Sequence, residues 1–233
     1  MDSSLGAATG RALYLLVTGD PALWEIVGVS FRVSLSAIAL ITPAALLLAF
    51  GLAYARFPGR RSTVAALYSL QAIPSVCVGL LLYLLLTRSG PLGDLRLLFT
   101  QSAMMIGQMV LGFPLLLAIA HAALQAADRR AWETARTLGA PPWRAMLTVM
   151  HEVRYGLLAA TVAAFARIVA EVGSSLMLGG NIEHVTRNIP TAIALETSKG
   201  EYAQGIALGL VLLVLALGLN FTLSLLQGKG QMR

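Results

Sequence analysis

Residues 97–127 read LLFTQSAMMIGQMVLGFPLLLAIAHAALQAA, 31 consecutive positions without Asp, Glu, Lys or Arg. A helix needs about 20 apolar residues to cross roughly 30 Å of hydrocarbon, so this run spans a membrane with length to spare. Outward from it, three more charge-free gaps meet the same test: 23 residues at 33–55, 26 at 62–87 and 27 at 202–228. Residues 155–180 are also apolar but carry Arg167 and Glu171. An ionisable pair inside a span faces a bundle interior or a cavity, so this stretch is read as a fifth span. The predicted spans are about 33–55, 63–87, 98–123, 155–178 and 203–227. Residues 13–17 are too short to cross, and Asp20-Pro21 reads as an N-cap followed by Pro at the first helical position, opening a helix that runs toward the first span. The fold class is all-α and polytopic, with five transmembrane helices. Residues 1–20 form an extracytoplasmic segment, 21–228 one transmembrane domain with a cytoplasmic loop at 125–154, and 229–233 a cytoplasmic tail.

Composition agrees with this. The chain has 233 residues, 57% hydrophobic and 12% charged, with mean hydropathy +0.76. A soluble domain is about a quarter charged, so a soluble globular enzyme is excluded. The net charge of +6 comes mostly from Arg beside apolar spans, which speaks of topology rather than nucleic acid. A single cysteine, Cys77, excludes an internal disulfide and a cysteine-built zinc site. Residues 1–10 lack the basic start and apolar core of a cleavable signal. Segments 56–61, 125–154 and 228–233 hold ten Lys and Arg, against six on the opposite side. The positive-inside rule puts those three segments in the cytoplasm, the N-terminus outside and the C-terminus inside. Pro43, Pro74 and Pro114 interrupt the spans. Each frees a carbonyl that neighbouring helices or a water-filled cavity must satisfy, which suits a packed transport bundle better than a simple anchor.

The segment DRRAWETARTLGAPPWR, residues 128–144, reads as a helix capped by Asp128 and stopped at Gly139, then a turn and a second helix opened by Pro141-Pro142. Ala131 and Ala135 fall one turn apart with Leu138 alongside. Such a face fits a groove on another protein; a plain surface connector has the same spacing. Glu133-Thr134-Ala135-Arg136-Thr137-Leu138-Gly139 resembles the Glu-Ala-Ala-x-x-x-Gly loop of bacterial ABC-importer permeases. Glu133 matches the acidic start, Ala135 the second alanine and Gly139 the glycine, while Thr134 replaces the first alanine. Where that family often has Ile-x-Leu-Pro, this chain has Val149-Met150-His151-Glu152, a departure toward a subfamily. Residues 170–182, Thr186-Arg187 and residues 191–201 resemble the permease of tungstate importers, relatives of the molybdate and sulfate permeases, and the likeness runs over about 20–228.

The resemblance implies a type I ABC-importer permease fold in a bacterial or archaeal cell membrane. It implies a homodimer, two copies of a cytoplasmic ATPase and an extracytoplasmic tungstate-binding protein, with no nucleic acid. Glu133, Ala135, Leu138 and Gly139 would enter a cleft of the ATPase. ATP and Mg would sit on that partner, leaving this chain non-catalytic and without cofactor or metal. A permease for molybdate, sulfate or another solute shares much of this layout.

Arg167 and Glu171 are four apart and share a face of the fourth helix. They offer a passing oxyanion a transient positive field neutralised between cycles, or a structural ion pair that fixes packing. Ser174, Ser175 and Asn181, among Gly173, Gly179 and Gly180, supply neutral donors near backbone that can turn toward an anion; close helix packing uses the same small residues. Residues 188–200, with Pro190 in the first turn and Lys199-Gly200 at the end, form a short outer helix. Thr186 and Arg187 precede it, where an arriving anion meets a positive charge or where Arg187 touches a partner or headgroups.

Other classes are weaker. No Gly-x-x-x-x-Gly-Lys-Ser/Thr occurs, so energy must come from a partner. His151-Glu152 starts like a zincin motif, but Tyr155 stands where the second His is needed. An intramembrane serine protease would use Ser174 or Ser175 with His121 or His184. A channel without an ATPase leaves residues 133–139 unexplained.

Overall fold

The computed structural model describes residues 5–55 and 57–231, without the side chains of residues 5–8, 11 and 226–231. Residues 1–4, 232–233 and Arg56, and the side chains of Arg11 and Lys229, lie outside the described residues. Parts of the predicted end segments and of the charge asymmetry fall on them.

The regular structure described is entirely helical: α1 (Leu5–Thr18), α2 (Pro21–Tyr54), α3 (Arg60–Ser69), α4 (Ser75–Leu86), α5 (Gln101–Ala126), α6 (Arg129–Thr137), α7 (Pro142–Glu152), α8 (Arg154–Val169), α9 (Gly173–Gly179), α10 (Ile189–Lys199) and α11 (Tyr202–Gln231). Three stretches are long and apolar enough to cross a membrane, Pro21–Tyr54, Gln101–Ala126 and Tyr202–Leu225, and up to five if the pairs α3–α4 and α8–α9 each count as one span. As the sequence predicts, Asp20 opens α2, its carboxylate accepting the Leu23 N–H at 3.0 Å. The 14 residues of α1 cover about 21 Å, short of a crossing.

Neither the stretch 63–87 nor the stretch 155–178 is one continuous helix; the first is interrupted at Pro74 as expected, and the second is a correction. The first breaks at Ile73, which is extended (ψ 125°), before Pro74 (ψ 134°), because proline lacks an N–H and biases its predecessor away from the helical region. The second breaks between Val169 and Gly173, so Arg167 and Glu171 do not share one helix. Pro43 and Pro114, by contrast, lie inside uninterrupted helices.

The chain divides into two compact units. The first comprises Met1–Ala37, Pro74–Leu111 and Ala166–Gly218. Ala12, Leu23, Ile26, Ile189, Ala192 and Leu208 form its main core, joining α1, α2, α10 and α11. Beside it Val29 and Val33 pack on Met104, and Leu86 and Ala103 on Leu178. Helices α4 and α9 touch through small residues: a Cβ on Gly79 would stand 2.9 Å from the Ser174 Cα. Without a hydrophobic drive between helices in lipid, close backbone approach and its dispersion energy hold such pairs.

The second unit comprises Ile38–Ile73, Gly112–Phe165 and Leu219–Arg233. In it α8 approaches α5 at Gly156, where a Cβ would stand 2.9 Å from Ala123 Cβ. The Tyr68 hydroxyl of α3 donates to the Ala118 carbonyl at 3.3 Å. The guanidinium of Arg60 donates to the Leu52 carbonyl and, at 3.3 Å, to that of Ala53. It thereby satisfies acceptors that the end of α2 leaves open.

Gly79→Ala forces α4 from α9 and is expected to lower stability by about 1–3 kcal/mol. Gly209→Ala, whose Cβ meets open space, should leave stability unchanged or raise it slightly through helix propensity. Thermal unfolding in detergent distinguishes them, and equal midpoints would rule out the contact as a constraint.

Candidate functional site

In the second unit, residues 128–152 fold as the sequence predicts. The Asp128 carboxylate caps α6 by accepting the Arg130 N–H at 2.9 Å. Gly139 ends it in the left-handed region (φ +83°), which a side chain disfavours by about 1–2 kcal/mol. Pro141 and Pro142 then start α7. Ala145 and Val149 anchor α7 with no exposure, whereas Leu138 is 82% exposed, with Trp143 and Leu147 beside it in sequence also exposed. Glu133 is exposed and Ala135 half-buried. The inward anchor of α6 is Trp132, whose ring lies 5.5 Å from Phe50 and 5.4 Å from Tyr54. Those two rings stack at 4.6 Å in the last turns of α2, and the Arg129 guanidinium lies 6.0 Å from Tyr54. Aromatic contact therefore joins α6 to the end of α2.

In the first unit, Arg167 reaches from the last turn of α8 to Glu171 in the break, Nη1 to Oε2 at 2.7 Å. The arginine is half exposed and the carboxylate 3% exposed. Glu171 also accepts the Ser75 hydroxyl and, at 3.4 Å, the Ser174 N–H. One carboxylate thus joins the helix before the break, the helix after it and the start of α4. Ser174 and Ser175 lie on α9, each 1% exposed, and neither hydroxyl has a hydrogen-bond partner among the described residues. Among the described residues His184 is bonded to Glu25 rather than to either serine.

The loop after α9 is built on Thr186. Its buried hydroxyl donates to the Gly179 carbonyl and accepts the Ile182 N–H at 2.9 Å. Asn181 has φ +51° and a buried Oδ1 without a hydrogen-bond partner among the described residues. Arg187 pairs with Glu183 at 3.0 Å, with 13% of its side chain exposed. With Glu25, His184 and Gln204 it lines a small cavity. Asn188 and Thr191 form a capping box that opens α10, with Pro190 in its first turn and Gly200 (φ +82°) closing it. The Ser30 hydroxyl accepts the Ile189 N–H at 2.7 Å, fixing α10 to α2.

The structure thus brings Arg167, Glu171, Ser174 and Ser175 together around one break and puts Asn181, Thr186 and Arg187 in the following loop. It adds residues that sequence reading passed over. Trp132 lay within the motif, but its partners Phe50 and Tyr54 are about 80 positions away. Ser75 follows the breaking Pro74, and Gln108 is an amide within the 31-residue apolar run; both carried a polar signal without a partner.

The chain matches the model of the family described as binding-protein-dependent transport system inner membrane component over residues 34–228, and it belongs to that family. It is a multi-pass membrane permease with the ABC-transporter permease fold, and the family implies a binding protein and an ATPase as partners. It is 37% identical to the tungstate uptake system permease protein TupB of Peptoclostridium acidaminophilum, over 93% of this chain and 95% of that one. It is 43% identical to TupB of Campylobacter jejuni over 64% of this chain, a match spanning 63% of that relative's length. It is 31% identical to the molybdenum transport system permease protein ModB of Escherichia coli, over 80% and 85% of the two chains. Among solved structures, an amino acid ABC transporter crystallised with histidines superposes with a TM-score of 0.63 at 16% identity, covering 92% of this chain and 96% of that one; at that identity the likeness concerns the fold.

Arg167→Ala would leave the Glu171 carboxylate buried with neutral donors only. Since Arg167 is half exposed, the expected loss is about 2–3 kcal/mol, below that of a fully buried pair. Adding Glu171→Gln should recover part of it in thermal unfolding, and a double variant no better than Arg167→Ala would contradict the buried-charge account. His184 titrates above the ordinary imidazole value of 6.5 because Glu25 accepts its hydrogen bond and attracts its charge, with Glu183 adding to this and Arg187 opposing. The link to Glu25 is complete below the ordinary value and is lost as pH rises through the raised one. An NMR titration of His184 should therefore move down in Glu25→Gln, and an unchanged midpoint would dissolve the link.

Proposed function

We propose that this chain is the membrane permease of an ATP-driven tungstate importer. The observation that carries this reading is the likeness to the Peptoclostridium tungstate permease over 93% of the chain, with a helix at 129–137 capped and terminated as a docking element requires. The permease works as a homodimer with two ATPase copies and an extracytoplasmic tungstate-binding protein. It is itself non-catalytic and holds no cofactor, ATP and Mg residing on the ATPase. Five spans, the second and fourth each broken, put the N-terminus outside and α6 and α7 in the cytoplasm, which the positive-inside balance supports.

The mechanism is alternating access. The binding protein releases the oxyanion at the outer face, where Arg187, Thr186 and Asn181 meet it. ATP closes the ATPases on the helix holding Glu133, Ala135, Leu138 and Gly139. That closure passes through Trp132 to Phe50 and Tyr54 and turns the bundle. Arg167 lends a positive field inside, and Glu171 cancels it so that a divalent anion is not trapped. Ser174 and Ser175 guide the ion as neutral donors.

Molybdate is the second reading, favoured by the 31% identity to ModB. The two ions share charge and nearly share size, so the binding protein does most of the selection between them.

Cellular tungsten and molybdenum, measured by mass spectrometry with the gene present and deleted at nanomolar supply, test the substrate. Selective loss of tungsten on deletion is expected; loss of molybdenum alone transfers the assignment to the second reading, and no change in either removes both. Gly139→Val should cut uptake about tenfold or more through backbone strain at the docking turn, with normal membrane levels. Uptake at wild-type rate would detach residues 133–139 from coupling.

A further inference from the structure

Six buried side-chain atoms in the first unit have no hydrogen-bond partner among the described residues: Ser34 Oγ, Gln108 Oε1, Ser174 Oγ, Ser175 Oγ, Asn181 Oδ1 and Arg187 Nε. The last two belong to the loop already described. The other four sit on α2, α5 and α9, each residue 1% exposed. Buried polar atoms are nearly always satisfied by protein, ordered water or ligand, so four on three contacting helices are a concentration that packing alone does not explain.

Contact geometry draws them toward one place. A Cβ on Gly179 would stand 2.7 Å from Met104 Sδ, and one on Gly107 would stand 2.6 Å from Leu178 Cδ1 and 3.7 Å from Ser174 Oγ. Helices α9 and α5 therefore pass in opposite directions. Ser175 lies one turn before Gly179 and Gln108 one turn after Met104, so this register turns them toward each other. On the third side Val29 and Val33 of α2 cluster with Met104, and Ser34 follows Val33 on that helix. None of the four is charged. The nearby carboxylate, Glu171, is already engaged by Arg167, Ser75 and the Ser174 N–H.

The donors in this set suit an anion. A tetrahedral oxyanion only accepts hydrogen bonds. Three hydroxyls can rotate to donate and the Gln108 amide nitrogen carries two further donors, while its Oε1, the atom without a partner among the described residues, only accepts. Donors without fixed charge replace part of the ion's hydration while leaving it free to depart. We propose that Gln108, with Ser34, Ser174 and Ser175, forms a neutral hydrogen-bonding constriction through which the dehydrated oxyanion passes, Gln108 setting which oxyanion is admitted. This rests on the permease reading above and adds Gln108 and Ser34 to its pathway.

The test uses the whole complex, permease with ATPase and binding protein, in proteoliposomes supplied with tungstate, molybdate or sulfate. Uptake of each ion and ATP hydrolysis are measured together. Gln108→Leu is expected to lower uptake per ATP hydrolysed about tenfold and to change the ratio among the three ions, with ATP hydrolysis still stimulated by the loaded binding protein. Gln108→Glu should lower uptake further, because its carboxylate repels the anion. A packing role would instead reduce assembled complex and ATP hydrolysis in parallel. Uptake and ion ratios equal to wild type in both variants would overturn the proposal and leave the four groups holding internal water. If neither variant assembles, Ser34→Ala and Ser175→Ala, which remove one oxygen each, decide it: reduced uptake with ATP hydrolysis kept supports the constriction, and unchanged uptake overturns it. A wild-type complex that hydrolyses ATP yet moves none of the three ions overturns the oxyanion reading itself, an outcome separate from failure of the constriction.

Discussion

Backbone groups freed where a membrane helix breaks must be satisfied by the protein, because hydrocarbon supplies no water to do it. Around residues 74 and 171 this requirement organises the first unit. Pro74 ends one helix and starts α4; four residues beyond Val169, α9 begins. The Glu171 carboxylate takes the Ser174 N–H at the start of α9, the Ser75 hydroxyl at the start of α4 and the guanidinium of Arg167. Helices α4 and α9 then close on each other until Gly79 lies against Ser174. A buried ion pair is costly in isolation, but here the same carboxylate also satisfies the groups that the breaks expose.

Small residues make that arrangement possible and also concentrate polarity. Gly79, Gly107 and Gly179 admit the side chains of Met177, Leu178 and Met104 at close approach, and the hydroxyls of Ser174 and Ser175 and the Gln108 amide are buried on the same helices. The loop held by Thr186 and the capping box of α10 support the same region through hydrogen bonds to Gly179 and Ser30.

The second unit presents an exposed surface on a packed support. Leu138, at 82% exposure, and Trp143, at 56%, project apolar area that a monomeric soluble surface would seldom present together. Behind them Trp132 sits on Phe50 and Tyr54, and Arg60 secures the carbonyls at the end of α2. Force applied to α6 thus meets a rigid contact with the end of a long helix.

Much of the helix pattern was legible in the sequence because its signals are local. Charge-free runs marked α2, α5 and α11; Asp128 and Gly139 marked the limits of α6; Asn188, Pro190 and Gly200 marked α10. The two breaks were less legible. Proline is a local signal at residue 74 but was tolerated within helices at residues 43 and 114, and the break before Gly173 depends on what Glu171 can bind. The candidate pair Arg167 and Glu171 was visible from spacing, yet its meaning changed once Ser75 and the Ser174 N–H joined it. By itself the sequence determined an all-helical membrane chain with a capped helix at 129–137, because hydropathy and capping act within a few residues. Only the tertiary structure decided which breaks occur, which glycines touch and which polar atoms are left without partners, because those outcomes depend on packing between segments remote in the chain.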